Sequence, residues 1–157
     1  MNRKWIGLLA AAAAVAAFGL AGNLSLAQDE KHKENETALG KLMEKVQKRN
    51  SEITKFTRNA NTFKKSQKEL QKAAADMYKL AKDAKPLKEG YTKNAKNEAN
   101  PEKKWDEIMD AFVKTSKDFS DLVVKDTTTQ KDAKDSFQSV KKTCSDCHTV
   151  FRVESEF

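Results

Sequence analysis

The sequence has 157 residues, with 30 Lys or Arg against 23 Asp or Glu and a net charge of +7, a length that suits one domain built on one core. The basic residues are scattered among acids rather than massed with aromatics between them, which speaks against nucleic-acid binding and for a solvated surface with a basic bias. Beyond residue 27 only Gly40, Pro86, Gly90 and Pro101 punctuate the chain, so strands joined by tight hairpins are excluded as the main architecture.

The chain opens with Arg3 and Lys4 and then runs without charge over residues 5–28, through an Ala-rich stretch that includes Leu8, Leu9, Val15, Phe18 and Leu20. Such a pattern reads as a secretory signal, and the small residues Ser25 and Ala27 before polar Gln28 place the expected cut after Ala27. Residues 1–27 are therefore expected to be the signal and residues 28–157 an exported, periplasmic domain. The uncharged run is also long enough for an uncleaved anchor, although its Ala and Gly content makes it weakly hydrophobic. Cleavage removes two basic residues, leaves the mature charge at about +5, and leaves no part expected to stay in the membrane. His32 follows in the charged stretch 29–34 and reads as part of a solvated terminus.

Four helical stripes come next. Leu39, Leu42, Met43, Val46, Ile53 and Phe56 step by three and four residues and predict the first helix. Residues 59–62 break it, with Thr62 the expected N-cap of the second. Leu70, Ala73, Ala74, Met77, Leu80, Ala81 and Ala84 line that second helix, Pro86 ends it, and a loop rich in Lys and Asn follows to Asn100. Asn100 as cap and Pro101 at the first helical position start the third, which buries Trp105, Ile108, Met109, Phe112, Phe119, Leu122 and Val123. Thr127-Thr128-Thr129 interrupts, and the fourth helix carries Ala133, Phe137, Val140, Cys144, Cys147, His148 and Phe151 on one side. Met77 and Met109 read as core. The expected fold is all-α, an antiparallel four-helix bundle.

The chemistry sits near the C-terminus. The chain has two cysteines, and they stand in Cys144-Ser145-Asp146-Cys147-His148, the CxxCH pattern of covalent haem attachment. On a helix, residues three and four apart share a face, so both thiols reach the two vinyl groups of one ring while His148 points at its iron. Three other readings use parts of this motif. A thioredoxin-like dithiol needs a strand-to-helix junction, a structural zinc needs a fourth ligand when only His32 is left, and a plain disulfide leaves His148 without a role.

The same segment, continued as Thr149-Val150-Phe151-Arg152, resembles the C-terminal signature of the class II c-type cytochromes: CxxCH, two variable residues, an aromatic and an Arg. Asn100-Pro101-Glu102-Lys103-Lys104-Trp105 is similar to the opening of that family's third helix. The resemblance covers most of residues 28–157. It implies one haem c between the helices, His148 as proximal iron ligand and Arg152 beside that face. The family contains two kinds of member. In one, a methionine of the first helix takes the sixth position and the protein carries electrons; in the other, an apolar side chain covers an open iron that binds NO or CO. Lys41-Leu42-Met43 resembles the methionine-bearing segment, so Met43 is the expected sixth ligand and electron transfer the expected role, with no substrate chemically changed. The open alternative puts Leu39 or Leu42 over the iron. Redox proteins with acidic surfaces are the expected partners; a homodimer is also open, since family members often pair through their first two helices.

Overall fold

The computed structural model describes residues 37–89 and 91–152; the expected signal, its cleavage site and His32 lie outside them. Among the described residues the protein is all-helical: α1 (Ala38–Phe56), α2 (Ala60–Lys65), α3 (Gln67–Ala84), a 3₁₀ turn (Thr92–Asn94), α4 (Pro101–Val123) and α5 (Gln130–Phe151). The four long helices coincide with the four stripes; α2 is additional.

Each long helix but α3 begins at a side-chain cap, which satisfies amides that have no partner inside the helix. Thr37 accepts from the Gly40 amide at 3.0 Å, Asn100 from the Lys103 amide at 3.1 Å, and Thr129 forms a reciprocal capping box with Asp132. The expected cap at Thr62 is corrected to Asn59. The Asn59 carboxamide oxygen accepts from the Thr62 amide at 3.0 Å, while the Thr62 hydroxyl accepts from the Asn59 amide at 3.4 Å. Capping therefore starts three residues earlier than expected, and one short turn of helix precedes the break at Ser66. That turn carries Phe63 into the core.

Helix α1 packs on α3, α3 on α4, and α4 on α5. α3 buries Ala73, Ala74, Ala81 and Ala84 alongside Leu70 and Met77, and small side chains of this kind let neighbouring axes approach closely. The bulk comes from opposite: Trp105, Phe112 and Phe119 on α4, Phe137 and Phe151 on α5. Phe119 and Phe137 meet with ring centroids 5.2 Å apart. Polar ties fix the ends. The Trp105 indole donates to the Lys85 carbonyl at 2.9 Å, taking up a free acceptor at the end of α3. Gln130 donates to the Thr57 carbonyl at 2.6 Å, and Gln71 to the Val123 carbonyl at 3.2 Å.

Phe119 is wholly buried whereas Val124, one residue beyond α4, is 57% exposed. Phe119→Ala is expected to cost about 3–5 kcal/mol of stability and Val124→Ala less than about 0.5 kcal/mol, measured by urea unfolding followed by far-ultraviolet circular dichroism.

Candidate functional site

Helices α1 and α5 face each other across a cavity of about 1200 Å³, larger than the roughly 300–1,000 Å³ of ordinary small-molecule sites. α4 supplies its apolar floor with Trp105, Met109 and Phe112, and Phe151 closes one side. Phe151 meets Trp105 edge-on at 5.3 Å, and Tyr91 from the α3–α4 loop stacks with the indole at 6.2 Å. The Tyr91 hydroxyl shares a 2.5 Å hydrogen bond with Thr37. The loop is tied to α5 by the Lys96 amide, which donates to the Val150 carbonyl at 2.9 Å.

Cys144, Cys147 and His148 all line the cavity. The reason is helical register: α5 is unbroken from Gln130 to Phe151, so side chains three and four apart emerge on one face. Its buried residues Phe137, Val140 and Phe151 set which face looks inward. Asp146, within the motif, is turned to the other side by Lys142, whose ammonium lies 2.7 Å from its carboxylate.

Both cysteines are free thiols. Burial pushes the Cys144 thiol above its ordinary value against a smaller opposing pull from its backbone and from Lys141. Burial, with the neighbouring Cys144 adding to it, raises Cys147 from 9.0 to about 11. Burial lowers His148, and the Arg152 guanidinium lowers it further. At neutral pH this wall presents two protonated thiols and a neutral imidazole, whose ring nitrogen lone pair is the form a metal takes. Arg152 lines the cavity too, just past the end of α5, its amide donating to the His148 carbonyl at 3.3 Å.

The opposite wall is α1, with Leu39, Met43, Val46, Gln47 and Asn50. Met43 is half-buried and Leu39 buried one turn earlier. All five residues expected at the site, Cys144, Cys147, His148, Arg152 and Met43, therefore border one space. Of the methionines read as core, Met77 is core alone, while Met109 is both buried and part of the cavity wall, a second thioether that residue pattern does not single out. Tyr91 was also missed. Its signal was that of a lone aromatic in a loop of Lys and Asn. Among the described residues no three of His, Cys, Asp and Glu gather as a metal-binding group.

No family model matches the chain, and no curated protein or solved structure is significantly similar to it.

The raised thiol of Cys147 has a pH consequence. Because the folded form holds its proton above the ordinary range, stability from this group is full below the ordinary value of 9.0 and declines as pH rises toward 11. Alkylation of Cys147 in the folded, haem-free chain carrying Cys144→Ser is expected to accelerate at a higher pH than in denaturant, where the midpoint is about 8.5. Equal midpoints in the two states would show that the thiol is not desolvated.

Proposed function

We propose that this chain is an exported mono-haem c-type cytochrome that carries electrons, an antiparallel four-helix bundle of class II type with a cleaved signal at residues 1–27. The observation that carries this reading is the placement of the CxxCH side chains and Met43 on opposite walls of one apolar cavity.

The residues fit a haem. The thiols and imidazole are spread along a helix face instead of converging on a point, as suits a planar group anchored at its edge and held at its centre. The floor of Trp105, Met109, Phe112 and Phe151 suits an aromatic macrocycle, since it offers apolar area and ring edges. Four of the iron's donors come from the macrocycle, so the chain needs to add one or two. Cys144 and Cys147 would hold the ring as thioethers, His148 would be the proximal ligand, and Met43 the distal one.

When bound, the haem supplies an iron that gains and loses one electron. The chain's own residues set the terms. His148 is exposed on the cavity wall, and partial desolvation together with the Arg152 charge lowers its pKa, so its neutral form would be available as a donor. A thioether from Met43 favours the reduced state and raises the potential. The apolar floor of Trp105, Met109 and Phe112 would lower the dielectric on its side of the change of charge. The net positive charge would raise the rate of encounter with redox partners that have acidic surfaces.

One observation favours the gas-binding reading as an alternative. Leu39 borders the same cavity one turn from Met43 and is only 7% exposed, well placed to cover an iron left open for NO or CO.

Protein matured in a host competent for cytochrome assembly should stay pigmented on a denaturing gel, and Cys144→Ala with Cys147→Ala should be colourless. Colourless wild-type protein would overturn the haem reading. The intact protein is expected to be low-spin and indifferent to CO, and Met43→Ala should convert it almost entirely to a high-spin form that shifts on CO. A wild-type spectrum that already shifts selects the gas-binding reading; an effect of Met109→Ala in place of Met43→Ala moves the distal ligand to α4.

A further inference from the structure

The charge of this protein is divided unequally. Residues 38–84, which form α1, α2 and α3, hold twelve basic and five acidic side chains, whereas residues 101–151, which form α4 and α5, hold nine and ten. Nearly all the positive excess therefore belongs to one half of the bundle.

Within that half it is organised. Lys41, Lys45, Lys48 and Lys55 follow each other along α1 at intervals of four, three and seven, and all are exposed. On α3, Lys68, Lys72, Lys79 and Lys82 are also all exposed, at intervals of four, seven and three. Both spacings return to one face of a helix, giving stripes about 20 Å long. The two helices pack side by side, at axial separations of roughly 8–10 Å, so the two exposed stripes run along neighbouring helices. Adjacent charges there lie within about a Debye length and add to one potential.

The acids of this half do little to cancel it. Arg49 lies half-buried between the helices, pairs with Glu52 and reaches the Asp76 carboxylate at 3.2 Å. One guanidinium thus balances one of these two carboxylates, and Glu44, Glu69 and Asp83 stay exposed against the eight lysines of the stripes. Among the described residues none of the eight lysines forms an ion pair; Lys82 instead leans on the Tyr78 ring at 4.5 Å. On α4 and α5 the arrangement is reversed. Lys114, Lys117, Lys131 and Lys142 each pair with the acid four residues on, at 2.5–2.7 Å.

We propose that the α1–α3 face is a docking surface for an anionic phospholipid bilayer. The occupant follows from the chemistry. Protein–protein interfaces are enriched in Arg and aromatics and depleted in Lys, and their energy concentrates in a few buried anchors. This face offers ammonium groups on flexible stems, the single arginine within α1 and α3 is the half-buried Arg49, and Ala75 is the apolar residue that interrupts the α3 stripe. Clustered lysines of this kind match a diffuse array of headgroup phosphates, which requires no fixed geometry. A second copy is disfavoured on the same face, because like charges would meet. The inference is independent of what the cavity holds.

The test uses the mature, full-length protein and sedimentation with vesicles of phosphatidylcholine alone or mixed equally with phosphatidylglycerol. Binding is expected to the mixed vesicles alone, weakening on the order of tenfold between about 0.05 and 0.15 M salt. The triple variant Lys45→Gln, Lys72→Gln, Lys79→Gln should lose binding by about tenfold or more. Lys114→Gln, Lys117→Gln, Lys131→Gln removes the same charge from the other half and should bind as wild type. The corresponding Lys→Arg triple on α1 and α3 should retain binding, which separates charge from any loss of fold. Equal losses in the two Gln triples, or no preference for phosphatidylglycerol, would overturn the proposal. So would capture by an acidic polypeptide such as polyglutamate with no binding to vesicles, which would assign the face to a protein.

Discussion

The structure depends on the register of a single helix. α5 must run without interruption past residues 144–148, because a break anywhere in that stretch would send the two thiols and the imidazole to different sides. The sequence protects the run: a capping box starts the helix, Lys131–Asp135 and Lys142–Asp146 brace its outer side at i,i+4 spacing, and neither Gly nor Pro occurs between residues 130 and 157. The wet face of the helix is thus what keeps the reactive face in line.

Register alone would not make a site, since four apolar stripes of equal width would close on one another. Here the neighbouring contacts run from α1 to α3 to α4 to α5, and the remaining pair stands apart across the cavity. The means is a difference in side-chain size. α3 meets its neighbours largely through alanines, so α1 and α4 are both drawn toward it. The bulky residues on α4, Trp105 and Phe112, then project under the space between α1 and α5. Trp105 is the hinge of this arrangement: its indole N–H holds the end of α3, its faces meet Tyr91 and Phe151, and it forms part of the cavity floor.

Much of this was legible from residue pattern. The four long helices follow from apolar spacing, and Asn100-Pro101 marked the start of α4 to the residue because cap and proline both act locally. That Cys144, Cys147 and His148 share one face was legible because their spacing sits within five consecutive residues of a helix. The cap of the second segment was not. Asn59 and Thr62 are both good caps, and what decides between them is a reciprocal bond in which one serves as cap and the other as its third-residue partner. Nor was the cavity role of Met109: a buried stripe residue and a cavity-wall residue look alike in one dimension, and they part only where neighbouring helices fail to meet. Tyr91 is a loop residue whose place is set by a contact with Thr37, 54 residues away, and local pattern carries no information of that range.

α1 is the element under most constraint, although it bears none of the motif. Its inner side supplies Leu39, Met43 and Val46 to the cavity, the side toward α3 supplies Arg49, and its outer side carries four lysines. Three faces of one helix are thus committed, each through residues repeating at three or four. One inserted residue turns everything beyond it by about 100°, which would move lysines toward the seam with α3 and swing Met43 or Val46 away from the cavity. The polar surface and the apolar site, though they draw on different residues, therefore tolerate the same single phase of α1. That shared phase ties the position of the basic face to the position of the cavity.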